Sequence, residues 1–133
     1  MEAPRLILLD TSVLIDYFRR KNKAKTLFLQ LNEEFQCCLS VISDYEFRNG
    51  ITPVNQTFIE TLLDNLPKLD FTEKCALQAT IIYKKLVKEN LLIPHNDIMI
   101  AATALVHKIP LATFNIKHFE RIKQLKIYSI YSK

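Results

Sequence analysis

Residues 6–9 are apolar at every position: Leu6, Ile7, Leu8 and Leu9. A run without polar alternation predicts a strand buried on both faces. Asp10 ends the run, Thr11 and Ser12 follow, and Val13, Leu14, Tyr17 and Phe18 then recur at helical spacing. The predicted order is strand, carboxylate, hydroxyl cap, then helix over residues 12–20. In open α/β sheets ligands bind at the carboxyl ends of the strands, so the position of Asp10 is chemically prominent.

Similar patterning continues down the chain. A second helix is predicted over residues 23–31, with Leu27, Phe28 and Leu31 inward. Residues 35–40 read as a strand, and 41–50 as a short helix capped by Ser43 and stopped at Gly50. Phe58, Ile59, Leu62, Leu63 and Leu66 keep a 3.6-residue period up to Pro67. Residues 68–71 form a brief strand. A long helix opens at Thr72 and ends near Asn90, with Ala76, Ala79, Ile82, Tyr83 and Leu86 inward. A helix over 98–107, a strand over 109–113, a loop or short helix over 114–119 and a fifth strand over 127–131 complete the order. Strands alternating with helices predict an α/β fold with a parallel sheet covered on both faces. No repeat, linker or low-complexity tract interrupts the pattern, so residues 1–133 are expected to form one domain.

Composition narrows the chemistry. The chain has 133 residues, 49% hydrophobic and 24% charged, an ordinary globular balance. No apolar run approaches the roughly 18 residues of a membrane span, and the N-terminus lacks a signal-peptide pattern, so a cytoplasmic protein is expected. Cys37, Cys38 and Cys75 lack metal-ligand spacing and have apolar neighbours, which predicts buried free thiols. A net charge of +4 is a mild attraction for polyanions. The basic cluster over residues 19–25 suits a solvated helix–helix turn at least as well as an RNA contact. Gly50 is the only glycine. That excludes a Walker loop and a dinucleotide fingerprint, both of which need several glycines around phosphate. Phosphate chemistry here would need side chains or metal ions.

Three carboxylates are placed suggestively. Asp10 follows the first strand, Glu46 lies in the helix after the second, and Asp97 begins the helix ahead of the fourth. Each has a plain structural explanation. Asp10 could cap its helix, Ser43-x-x-Glu46 matches a capping box, and Asp97 would favour a helix dipole. Taken together, they are acidic groups gathered toward one sheet edge, where they would repel one another without a cation between them. Hard divalent ions take such oxygen ligands and can activate water against phosphodiesters. His95, His107 and His118 show no triad pattern.

Four segments carry a family resemblance. They are Leu8-Leu-Asp-Thr-Ser-Val-Leu-Ile-Asp16, Ile42-Ser-Asp-Tyr-Glu-Phe-Arg-Asn-Gly50, Pro94-His-Asn-Asp-Ile-Met-Ile-Ala-Ala-Thr-Ala104 and Leu111-Ala-Thr-Phe-Asn-Ile-Lys-His-Phe-Glu-Arg-Ile122. In order and content they resemble the four motifs of the PIN-domain nucleases, and most of all the VapC toxins of bacterial toxin–antitoxin pairs. The resemblance spans nearly the whole chain. It implies a single PIN domain over residues 1–133, a three-layer sandwich with a central five-stranded parallel sheet and helices on both faces. It also implies a Mg²⁺- or Mn²⁺-dependent endoribonuclease acting on RNA such as tRNA or rRNA. The expected assembly is a homodimer silenced by a cognate VapB-like antitoxin.

By position in the motifs, Asp10, Glu46 and Asp97 are the expected metal ligands. Asn115 stands where many relatives carry a fourth Asp; it adds no charge but can bond a metal-bound water. Thr11, Ser12 and Thr113 match hydroxyl positions lining the same pocket. Asp16 and Asp44 are expected to be structural or solvent-facing, because Asp16 lies nearly two turns into its helix and Asp44 about 200° round the helix from Glu46. Two other readings compete. A phosphatase or receiver-like phosphoryl-transfer domain also places acid after the first strand, but a phosphatase of that kind wants a second Asp where this chain has Ser12. A PIN-like module that binds RNA or protein without cutting is disfavoured by three intact carboxylates.

Overall fold

The computed structural model describes residues 5–128. Five parallel strands form one sheet: β1 (Leu6–Leu9), β2 (Gln36–Ser40), β3 (Lys68–Leu69), β4 (Leu111–Ala112) and β5 (Ile127–Tyr128), in the order β3-β2-β1-β4-β5. The helices are α1 (Thr11–Arg19), α2 (Leu27–Asn32), α3 (Val41–Arg48), α4 (Gln56–Asp64), α5 (Glu73–Lys88), α6 (His95–His107) and α7 (Ile116–Phe119). Chain order runs outward from β1 to β3, then returns to the other side of β1 for β4 and β5. The β1–β4 gap is therefore the topological switch point, where ligands of such sheets bind.

The unbroken apolar run of β1 divides between two cores. Ile7 and Leu9 join Val13, Leu14, Leu27, Phe28, Leu31, Phe47, Ile59 and Leu63 on the face covered by α1–α4. Leu8 points the other way, into Ile82, Leu86, Ile98, Ile100, Ala101, Ala102, Leu111 and Phe119. Cys37 and Cys38 split in the same manner. This is the period of two expected of a strand covered on both faces, and each fully buried Leu or Ile contributes about 1.5–3 kcal/mol. All three cysteines are free and buried, and burial pushes the thiols of Cys37 and Cys38 up to about 12 and about 11.

Several local expectations differ from the structure. The helix expected over 23–31 is a 3₁₀ turn (Lys23–Lys25) followed by α2, with the Lys23 ammonium held by the carbonyls of Tyr17, Phe18 and Arg20 at the end of α1. The cap of α3 is Ser40, whose Oγ accepts from Ser43 N–H at 3.1 Å, and not Ser43. Ala76 and Tyr83 face outward on α5, while Cys75, Ile82 and Leu86 are buried. Helix α6 starts at His95, earlier than residue 98. It ends at Lys108 in the left-handed region (φ 57°), where Ile109 N–H reaches Ala104 O. The fourth strand is shorter than 109–113, and residues 129–131 of the expected fifth strand lie outside the described residues. No helix among the described residues is long and apolar enough to cross a membrane.

Candidate metal centre

The switch point places Asp10 at the end of β1 and Thr113 at the end of β4, with the Asp10 N–H bonded to Ala112 O at 2.9 Å. Asp10 is 5% exposed and Thr113 fully buried. One carboxylate oxygen of Asp10, Oδ2, accepts from both Ser12 Oγ and Thr113 Oγ1 at 2.8 Å. Those hydroxyls are themselves oriented, accepting from the N–H groups of Phe114 (3.1 Å) and Asn115 (2.8 Å) respectively. Asp10 stands at the N-cap position of α1 but its side chain makes no capping bond. Its carboxylate is tied to the side chains of Ser12 in α1 and Thr113 after β4 instead of to a helix N–H.

Glu46 is six residues into α3, so it is not at a helix start, contrary to expectation. The capping box does not form either. Glu46 Oε1 accepts from Thr11 Oγ1 at 3.0 Å, and Oε2 accepts from the Asn96 side-chain amide. Tertiary partners from α1 and α6 outcompete the local pattern and draw this carboxylate toward the β1 edge.

Asp97, in the first turn of α6, is 8% exposed. Burial raises its pKa, the His118 hydrogen bond lowers it, and the charges of Asp10 and Glu46 raise it. The mutual repulsion places all three acidic groups in one electrostatic neighbourhood. Asp97 Oδ2 lies 2.8 Å from His118 Nδ1, and the Asn115 side-chain amide is 2.8 Å from the same ring nitrogen.

The structure thus brings together Asp10, Thr11, Ser12, Glu46, Asp97, Thr113 and Asn115. Asp16 and Asp44 are elsewhere, paired with Arg20 at 3.0 Å and Arg48 at 2.9 Å one helical turn on. Each leaves one buried oxygen without a hydrogen bond. Two site residues escaped the sequence reading, Asn96 and His118. Asn96 adjoins Asp97, and His118 follows Asn115 by three positions, a spacing that puts both on one side of a helical turn.

Among the described residues, no three His, Cys, Asp or Glu side chains close into a ready metal cage. The donors suit a hard ion that keeps waters. Oδ1 of Asp10 and Oδ1 of Asp97 accept no hydrogen bond from the described residues, and neither is a buried orphan, so both are open to a ligand. Mg²⁺ typically takes one or two carboxylates and retains several waters. A cavity of about 180 Å³ adjoins the centre, bounded by Thr11, Glu46, Phe18, Arg19, Phe47 and Ile59.

The model of the family described as "PIN domain" matches residues 7–125. The chain is 38% identical over 125 residues to a Methanocaldococcus jannaschii protein named Ribonuclease VapC1, covering 92% of this chain and 86% of the relative. It is 30% identical over 121 residues to Ribonuclease VapC10 of Mycobacterium tuberculosis, covering 91% of each. The fold matches a chain of the DNA-bound VapBC of Salmonella typhimurium with a TM-score of 0.83 at 25% identity, over 94% of this chain and 98% of that one. The matched segment contains every residue of the Asp10 centre, from the first strand to His118, and this chain belongs to the PIN-domain family.

Proposed function

We propose that this chain, as one domain, is a divalent-metal-dependent endoribonuclease and the toxin of a toxin–antitoxin pair. The observation that carries the reading is the gathering of Asp10, Glu46 and Asp97 at the β1–β4 switch point, with Asp97 raised by burial and by the charges of the other two. Such a cluster is costly without a cation and useful with one. Relatives named Ribonuclease VapC supply the substrate class.

A bound Mg²⁺ or Mn²⁺ would acidify a water and offset charge developing on the phosphodiester. The chain's own groups do the rest. Asp10 and Asp97 present Oδ1 as ligands, each held by its other oxygen. Glu46, fixed at both oxygens by Thr11 and Asn96, adds negative charge beside them and would help hold the waters of a bound ion. Ser12 and Thr113 orient Asp10. In the reaction, water oxygen bonds to phosphorus and gives up a proton to solvent, the P–O bond to the leaving ribose oxygen breaks, and that oxygen takes up a proton from solvent. Matching folds found in VapBC complexes support a small VapB-like antitoxin as partner, and we also propose a homodimer.

The test is cleavage of an RNA transcript by purified protein with Mn²⁺, with ends mapped. Wild type should cut. Asp10→Asn and Asp97→Asn should each lose about 100-fold or more in rate. Wild-type rates in either variant would refute the site. Binding of RNA without cleavage by wild type would favour a non-cutting module.

A further inference from the structure

His118 has no place in the metal site by charge or by expectation, yet its Nδ1 sits 2.8 Å from both Asp97 Oδ2 and the Asn115 amide. One ring nitrogen either donates one hydrogen or accepts one; it cannot do both. A carboxylate that holds a cation is ionised and offers only lone pairs, so the hydrogen must be on Nδ1. The structure sets Asn115 Nδ2 against the ring; with the hydrogen on Nδ1 the amide must be turned over so that its oxygen faces the ring, an orientation that is assigned from such networks.

We propose that His118 is the positioning residue of the metal centre: its Nδ1–H grips Asp97 Oδ2, so that Oδ1 is held facing the cleft for a divalent cation, while Asn115 orients the ring. The inference rests on the divalent-metal reading above. The base of the ring is rigid. Helix α7 is anchored by Phe119, fully buried against the core that also holds Ile98 and Ile100 of α6. The bond joins residues 21 apart in sequence and links α7 to α6 at the cleft. It also explains the amide at 115. A carboxylate there would compete with Asp97 for the one hydrogen on Nδ1, whereas a neutral amide oxygen leaves Asp97 the stronger acceptor.

Outer partners that hold a metal-binding carboxylate are typically worth 10–100-fold in metal affinity. Calorimetric titration with Mn²⁺ of wild type, His118→Leu and His118→Asn tests the role, with near-ultraviolet dichroism in chelator recorded first to establish folding. His118→Leu fills the space without a donor and should bind Mn²⁺ about 10–100-fold more weakly. His118→Asn keeps an N–H near the Nδ1 position and should recover most of that loss. The Mn²⁺ concentration giving half-maximal RNA cleavage should shift in parallel. If His118→Leu does not fold, His118→Ala takes its place with the same expectation. Unchanged affinity in the donor-less variant overturns the proposal, and so does an equal loss in His118→Asn. A wild type that binds no Mn²⁺ overturns the metal reading itself, a distinct result.

Discussion

At the scale of single residues, Asp97 carries the clearest energetic consequence. Its folded pKa is raised, chiefly by burial, with the His118 bond opposing and the Asp10 and Glu46 charges adding. Below the unfolded value, about 4 for Asp, the group is protonated in both states and costs nothing. As pH climbs from there through the folded value, the unfolded chain releases its proton more readily, and stability falls. At neutral pH in chelator, Asp97→Asn should therefore melt higher than wild type, yet gain little from added Mn²⁺. A lower melting point with unchanged Mn²⁺ response would show a carboxylate serving only the helix dipole. Asp10, Glu46 and Asp97 were legible as candidates because their motifs come in a recognisable order, and Asp10 directly follows an apolar strand. Asn96 and His118 were not, because their roles depend on which way α6 and α7 turn toward each other. The Ser43–Glu46 pattern misled for a related reason: a local match carries no information about Thr11, 35 positions away.

At the scale of elements, α6 is the member that carries Asn96 and Asp97 into place. Ala101, Ala102 and Ala104 are fully buried on it, where their small side chains allow close approach of its neighbours. Ala101→Leu should destabilise the protein by about 1–3 kcal/mol through overpacking. Because any relief must shift α6, Mn²⁺ affinity should fall as well; urea unfolding and calorimetry on the same preparation check both. On α3 the stake is smaller. Ser40→Ala removes the cap that Ser43 N–H uses, and should cost about 1 kcal/mol in the same urea assay. The order of strands and most of the helices was readable from periodicity. What periodicity could not supply were ends. Lys23 draws the end of α1 onto itself through three carbonyls, which breaks the expected second helix into two pieces.

At the scale of the whole molecule, metal and stability should be linked. Mn²⁺ at tenfold above its Kd adds RT ln(1 + [L]/Kd), about 1.4 kcal/mol, which for a chain of this size is roughly a 4 °C rise in melting temperature. A wild-type curve indifferent to millimolar Mn²⁺ would remove the basis for a cation at Asp10 and Asp97. The net charge of +4 should also make RNA affinity fall linearly on a logarithmic salt scale, measurable as filter binding at increasing KCl with the Asp10→Asn variant.

The strand order has a consequence in time as well as in space. β1, which leads into Asp10, is flanked on one side by β2, the next strand in the chain, and on the other by β4, made only after β2 and β3. Asp10 can be translated, and α1–α4 made, long before Ala112 completes their core and Thr113, Asn115 and His118 exist. A growing chain on the ribosome therefore holds only part of the site until β4 and α7 have been made. An RNA-cutting enzyme built this way stays harmless to the message encoding it until the codons for Thr113, Asn115 and His118 have been read.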